Sequence, residues 1–241
     1  MNLFEAVQEA RVLLRRARSV GVMTGAGISA ESGIPTFRGD GGYWQGVSAQ
    51  ELASPEGFAR DPHKVWEWYN RRRQALWGVK PNAGHLALAE LERRVAEFGL
   101  ATQNVDRLHH AAGSRNVVEL HGNLCEVRCT GCAAVLDRTG VALPPEPRCE
   151  ACGAWLRPAV VWFGENLPMD ALATAQAWAS RAEVYLVVGT SAVVWPAAGL
   201  AYTAKLAGAR IIEVNPEPSG VTDLADLSLR GKAGEILPQL L

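Results

Sequence analysis

The stretch SVGVMTGAGISAESG, residues 19–33, decides how the rest of the chain is read. Its first part, SVGVMT (19–24), is a short apolar run of the kind that forms a buried strand. The part that follows can be read as G-x-G-x-x-A, with Gly25, Gly27 and Ala30. Glycines after a strand let the backbone approach a pyrophosphate, and the helix start behind them offers N–H groups to it. The ordinary dinucleotide fingerprint also has an acidic residue about 20 positions on, closing a second strand. Here that region reads PTFRGDGGYWQ (35–45), a loop without strand character. The match is therefore either accidental or an atypical dinucleotide site with a loop over its ligand.

Further short apolar runs flank this one: LATQ (100–103), NVVEL (116–120), VYLVVGT (184–190) and RIIEVN (210–215). Helical patterns separate them, over 83–98 with Leu86, Leu88, Leu91 and Val95, then over 168–179 and 195–207. Strands alternating with helices imply βαβ units, so an α/β fold with a parallel sheet and helices on both faces is expected. Two regions break the rhythm. Residues 33–60 are rich in Gly and Pro and read as loop, and 125–158 are rich in Cys and Pro. Both read as excursions from the sheet that together form a small second lobe.

Lys plus Arg is 24 and Asp plus Glu is 25, a formal net charge of −1. That balance excludes a general electrostatic attraction to nucleic acid or membrane and leaves room only for local patches. No apolar run reaches the roughly 18 residues that a spanning helix needs. The N-terminal MNLFEAVQEARVLLRRARSV is amphipathic and carries arginines, as a transit peptide does, but Glu5 and Glu9 are out of place in one. It reads as the first helix of the fold, with Phe4, Val7 and Leu14 inward. A soluble cytoplasmic protein is the default expectation.

Four of the five cysteines, Cys129, Cys132, Cys149 and Cys152, are spaced C-x2-C-x16-C-x2-C. Each pair brings two thiolates onto one turn, and two turns complete a tetrahedral Zn²⁺ site. Four thiolates leave no open position, so the ion is expected to be structural. A redox function for C-x-x-C requires only one pair. Cys125 is left over and reads as a small buried residue.

GAGISAESGIPTFR (25–38), TQNVDRLHHAAG (102–113), ELHG (119–122), the cysteine quartet, VVWFGE (160–165), GTSAVVWPAAG (189–199) and NPE (215–217) follow in order. Together they resemble the sirtuin family of NAD-dependent protein-lysine deacylases, over nearly the whole chain. The resemblance implies a single catalytic domain over 1–241. Its Rossmann-like part would take about 1–34, 78–122 and 159–241, and a small zinc-binding lobe would come from about 35–77 and 123–158. NAD would lie between them, as a consumed co-substrate beside one structural zinc. Gly25, Ala26, Gly27 and Ser29 would cradle the phosphates, and Phe37 and Arg38 would border the nicotinamide ribose. Gln103, Asn104, Val105 and Asp106 would hold that ribose and the carboxamide. Gly189, Thr190, Ser191, Asn215, Pro216, Glu217 and Ala233 would line the adenosine side. The resemblance further implies that an acyl-lysine carbonyl oxygen displaces nicotinamide, that His121 then deprotonates the ribose so that its 2′-oxygen attacks the imidate carbon, and that hydrolysis by water releases free lysine and O-acyl-ADP-ribose. His121 follows a strand and precedes Gly122, so it can project into the crevice, and a pKa near 6.5 leaves it able to take a proton. His63, His85, His109 and His110 read as structural hydrogen-bonders. Val161, Phe163, Gly164 and Glu165 offer an extended edge to which a substrate peptide adds as a strand.

VWEWYNRRRQAL (65–76) holds three consecutive arginines beside aromatic residues. Asp61-Pro62 is a suitable helix start, and at about 100° per residue Val65, Trp68, Tyr69, Arg72 and Leu76 share one face. Arg71 and Arg73 fall at the borders, with their charges expected in water. Arg72 alone is expected to point into the stripe, next to Tyr69. A planar guanidinium beside a phenol is a receptor for a carboxylate. YNRR (69–72) resembles the Tyr-x-x-Arg pair of the sirtuin subgroup that removes succinyl, malonyl or glutaryl groups, and VWEWY, KPNAGH (80–85) and the short GGYWQ loop agree with it. The partners implied are acylated lysines of proteins, with no membrane and no direct nucleic-acid contact. Arg128, Arg138, Arg148 and Arg157 against Glu126, Asp137, Glu146 and Glu150 leave the cysteine lobe balanced, against a nucleic-acid-binding ribbon. The expected activity is removal of these acidic acyl groups and of acetyl groups as well; a plain lysine deacetylase and a protein ADP-ribosyltransferase are the alternatives.

Overall fold

The computed structural model describes residues 2–36, 43–44 and 47–241. Its first helix, Leu3–Arg16, starts at a capping box in which the Asn2 side chain accepts from the Glu5 N–H and Glu5 accepts from the Asn2 N–H. Ala6, Val7, Ala10 and Leu14 are its buried face. Phe4, expected inward, is 71% exposed. The stripe runs from Ala6 and Val7 through Ala10 to Leu14, and Phe4 falls off it despite its hydrophobicity.

Six parallel strands form the main sheet, in the spatial order Leu227–Leu229, Arg210–Val214, Val184–Val188, Ser19–Thr24, Glu97–Thr102, Val117–Glu119. Their near-continuous apolar runs follow from burial on both faces. One face packs on the helices Leu3–Arg16 and Ala83–Arg94 and on the C-terminal residues Leu237 and Leu240. The other packs on Met169–Arg181 and Gly199–Leu206. Two expectations need correction. The helix expected over 83–98 stops at Arg94 because Glu97–Thr102 joins the sheet beside Ser19–Thr24, and Leu86 faces solvent at 51% exposure. The helix expected from 195 begins at Gly199. The sixth strand was not expected, because LSL (227–229) is too short to show a period.

The chain builds outward from Ser19–Thr24 on one side and then returns to build on the other. The topological switch point therefore lies between Ser19–Thr24 and Val184–Val188, the place where open α/β sheets bind ligands.

Both excursions have regular structure of their own. The region read as loop over 33–60 contains the short helices Ala49–Leu52 and Pro55–Arg60, followed by the longer helix Pro62–Ala75. Asp61 caps that last helix, accepting from the Lys64 N–H at 3.0 Å, with Pro62 in the first turn. Gly122–Cys129 pairs antiparallel with Val135–Asp137 on one side and Leu156–Val160 on the other. A third apolar cluster joins this sheet to the helix through Val65, Trp66, Tyr69, Leu124, Val127 and Trp162. No helix among the described residues is long and apolar enough to cross a membrane.

Candidate active site and cysteine centre

At the switch point two chain turns touch. The Gly27 N–H donates to the Gly189 carbonyl at 2.7 Å, and a Cβ on Gly27 would lie 2.7 Å from that same oxygen. Gly189 has φ +57, and a Cβ there would meet the Ile28 nitrogen at 2.4 Å. Glycine is required on both sides of this contact. The expected loop glycines thus serve the packing of two strand ends, besides any approach to a ligand.

A polar nest lies above these turns. Buried Asn104 donates from Nδ2 to the Gly25 carbonyl at 3.0 Å and to Ser29 Oγ at 3.1 Å. Ser29 in turn donates to Asp106 Oδ2 at 2.7 Å, while Asp106 Oδ1 accepts from the Leu108 N–H at 2.9 Å. Gln103 Nε2 donates to Thr190 Oγ1 at 2.9 Å, and Asn215 Nδ2 donates to the Thr190 carbonyl at 3.0 Å. Residues from four strand ends therefore converge: Ser29, Gln103, Asn104, Asp106, Thr190 and Asn215 lie in one hydrogen-bonded cluster. Ala26 is half-buried beside Gly25, and Val105 accepts the Leu124 N–H through its carbonyl. Ser191 accepts the Gly220 N–H, the Glu217 carbonyl accepts from Arg230, Pro216 is exposed, and Ala233 is buried. Phe37 and Arg38 lie outside the described residues.

Under the nest lies a support layer in which the two histidines were expected as structural hydrogen-bonders and the two threonines were not assigned. Thr24 donates to Thr102 at 2.8 Å and faces His109 Nε2 at 2.9 Å. His85 Nδ1 faces the Asn82 N–H, so its neutral ring carries the proton on Nε2, toward Ser29 Oγ at 3.4 Å. Burial pushes His85 down to about 4 and holds His109 well below 6.5, so both are neutral at physiological pH. Thr24 and Thr102 end adjacent strands, which was the available signal for this layer.

His121 follows the strand Val117–Glu119, and Gly122, at φ +67, turns the chain into the cysteine lobe. A Cβ on Gly122 would lie 2.0 Å from the Ala159 carbonyl oxygen. His121 Nδ1 is 3.0 Å from the Gln103 carbonyl oxygen. A carbonyl only accepts, so Nδ1 carries the hydrogen and Nε2 keeps a bare lone pair. Burial lowers the pKa of His121 from 6.5, partly offset by the Gln103 bond, and leaves a neutral imidazole ready to accept a proton.

The helix Pro62–Ala75 packs on the cysteine lobe and on Trp162. Tyr69 is 1% exposed, and its hydroxyl accepts from Trp162 Nε1 at 2.9 Å. Burial pushes its phenol up to about 12, against the opposing charge of Arg72. The half-buried Arg72 stacks on Trp68, its guanidinium carbon 4.7 Å from that ring and 5.8 Å from the Tyr69 ring. The expected placement of Arg73 needs correction. It is 5% exposed and donates to the carbonyls of Leu124, Arg138 and Val141, which pin the helix to the cysteine lobe. The buried stripe is rotated toward Trp66 and Arg73, because Trp66 Nε1 finds the Leu156 carbonyl at 2.8 Å and Arg73 finds three acceptors. Arg71 is exposed, with a Glu67 ion pair at 3.3 Å.

The extended run expected over VVWFGE ends at Val160. Val161 donates to the His121 carbonyl, Phe163 to the Ala53 carbonyl, and the Glu165 N–H closes a turn on Trp162. Phe163 is half exposed and Gly164 has φ +86. Glu165 is held by Arg157 at 2.5 Å and 2.9 Å.

The sulfurs of Cys129, Cys132, Cys149 and Cys152 all lie within 4.8 Å of one another. Cys129 to Cys152 is 3.4 Å and Cys132 to Cys149 is 3.8 Å. Tetrahedral zinc with bonds of about 2.3 Å has sulfur–sulfur edges near about 3.8 Å, so the donor set fits zinc. The N–H groups of Gly131 and Cys132 point at Cys129 Sγ, which favours its thiolate. Cys125 lies outside the cluster and is half-buried rather than buried.

The Sir2 family model matches residues 25–196. The NAD-dependent protein deacylase 2 of Pyrobaculum aerophilum is 53% identical over 231 residues, 95% of this chain and 92% of the relative. A Sir2 homologue crystallised with NAD superposes with TM-score 0.92 at 50% identity, over 97% of this chain and 91% of that one. A Sir2 homologue mutant in complex with 2′-O-acetyl ADP ribose gives TM-score 0.92 at 49% identity, over 97% and 94%.

Proposed function

The chain belongs to the Sir2 family, and from that premise we propose that it is an NAD-dependent protein-lysine deacylase favouring acidic acyl groups: succinyl, malonyl and glutaryl. The observation that carries the reading is His121, with Nδ1 committed to Gln103 and Nε2 bare, at the border of a hydroxyl- and amide-rich nest.

The donors of that nest suit NAD. Gly25, Ala26, Gly27 and Ser29, with Phe37 and Arg38, would surround the phosphates and the nicotinamide ribose. Gln103, Asn104, Val105 and Asp106 would hold the ribose and the carboxamide. Gly189, Thr190, Ser191, Asn215, Pro216, Glu217 and Ala233 would line the adenosine. NAD supplies, when bound, a ribose C1′ whose leaving group is nicotinamide. The chain's own part is to position and to move one proton. Ser29 and Asn104 brace Asp106 and the Gly25 turn, so the nest is set before any ligand arrives. His121 Nε2 accepts the proton of a ribose hydroxyl, and the Gln103 carbonyl stabilises the imidazolium that forms. Zinc on the four cysteines would hold the lobe that carries Gly122–Cys129 and Leu156–Val160.

The acidic preference rests on Tyr69 and Arg72. Arg72 presents a planar fork beside a phenol whose oxygen already accepts from Trp162. Val161, bonded to the His121 carbonyl, and its neighbours Phe163, Gly164 and Glu165 would guide the substrate backbone between this pair and His121. A plain deacetylase is the second reading, favoured by the stacking of Arg72 on Trp68, which can hold that side chain in place without substrate. Incubation of NAD with a succinyl-lysine peptide tests the proposal. It predicts equal release of nicotinamide, free lysine and O-succinyl-ADP-ribose, with free lysine and O-succinyl-ADP-ribose lost in His121→Tyr. ADP-ribose retained on protein instead contradicts it.

A further inference from the structure

Trp162 belongs to none of the roles above, yet it holds the Tyr69 hydroxyl from behind. Its ring is buried, and an indole N–H only donates, so the phenol oxygen is the acceptor of the 2.9 Å bond. The phenol's own hydrogen is then left for a third group. The indole is itself fixed. The Arg157 guanidinium carbon lies 3.4 Å from its centroid, and the Phe58 ring lies 5.3 Å away. Arg157 forks Glu165 at 2.5 Å and 2.9 Å and donates to the Val160 carbonyl at 2.9 Å. Glu165 also accepts the Trp162 N–H at 2.8 Å. A continuous chain of directional contacts thus runs from Glu165 through Arg157 and Trp162 to Tyr69, beside the segment bonded to the His121 carbonyl.

Resting on the deacylase reading, we infer that Trp162 is a specificity-determining residue, whose indole N–H orients the Tyr69 phenol so that its hydrogen faces the end of the acyl chain. The Arg157–Glu165 fork is the positioning element that keeps the indole there. A carboxylate-ended acyl group gains from an aimed phenolic hydrogen. An acetyl methyl has no acceptor and loses nothing when the phenol turns. The same substitution therefore separates two substrates that share every other step.

The test measures kcat/KM at saturating NAD on one peptide carrying succinyl- or acetyl-lysine, with wild type, Trp162→Phe and Arg157→Lys. The succinyl-to-acetyl ratio should fall about 10-fold in Trp162→Phe, mainly through the succinyl KM, with acetyl turnover within about twofold. In Arg157→Lys it should fall about threefold, because an ammonium neither forks a carboxylate nor lies flat on an indole. Equal losses on both substrates, or an unchanged ratio in both variants, overturn the inference. Should Trp162→Phe fail to fold, Arg157→Lys decides alone. The wild-type ratio is a separate matter. A ratio below one that still falls in Trp162→Phe sinks the acidic preference and keeps Trp162 as a determinant. A ratio above one that neither variant moves does the reverse.

Discussion

The parallel sheet and the cysteine lobe reach order by different routes. The sheet is sandwiched between two apolar clusters, each built from several helices and strands. The lobe has three short antiparallel strands, one cluster on the side facing the helix Pro62–Ala75, and two of its four clustered cysteines exposed. The sheet is buried on both faces, whereas the lobe has a cysteine cluster that fits zinc and a buried arginine tied to three of its carbonyls. From that difference the two walls of the proposed cleft are expected to respond separately to substitution.

The largest effect is expected from the metal centre. Cys149→Ser, or chelation of zinc, removes metal binding that contributes on the order of 10 kcal/mol in isolated zinc modules. Deacylation should be lost while most far-ultraviolet circular dichroism remains; full retention of activity without metal would break the comparison. Next is His121→Asn, in the sheet's half of the cleft. Turnover should fall at least about 100-fold with the thermal midpoint nearly unchanged, the reverse of a structural defect. Differential scanning calorimetry alongside steady-state rates checks both.

Arg73→Met should destabilise the protein by about 3–5 kcal/mol in urea unfolding, since it removes a buried donor shared by the Leu124, Arg138 and Val141 carbonyls, while Arg71→Ala should change it by less than about 0.5 kcal/mol. Equal effects would erase the distinction drawn between adjacent arginines. The smallest effect concerns His85, under the nest. Its folded pKa of about 4 lies below the unfolded value of 6.5, so the unfolded chain binds the proton first as pH falls. Its stabilising contribution is complete above pH 6.5 and declines toward pH 4, by about 3 kcal/mol at most. Urea midpoints of wild type and His85→Gln, compared across that window, should converge at acid pH. Parallel curves would contradict the linkage.

The parallel sheet was legible because its buried strands are continuous apolar runs, and the cysteine spacing announced its own geometry. What the sequence hid depends on tertiary partners. Arg73 is buried because three carbonyls happen to face it, which no helical period encodes. Phe4 and Leu86 are hydrophobic but face solvent, since a helix buries the stripe its neighbours cover and not every apolar residue. VVWFGE has strand composition, yet Gly164 at φ +86 and the Arg157–Glu165 fork make its second half a turn. For the nest, the motifs named the residues, but which donor meets which acceptor depends on the sheet register.

The central claim joins His121 chemistry to an acyl group read by Tyr69 and Arg72, and one comparison addresses it directly. The measurement is kcat/KM for succinyl- against acetyl-lysine peptide at saturating NAD, in wild type and Arg72→Met. The account predicts a succinyl preference in wild type and a loss of at least about 30-fold on succinyl in Arg72→Met, with acetyl turnover little changed. A wild-type preference for acetyl, with succinyl turnover unmoved by Arg72→Met, would contradict it.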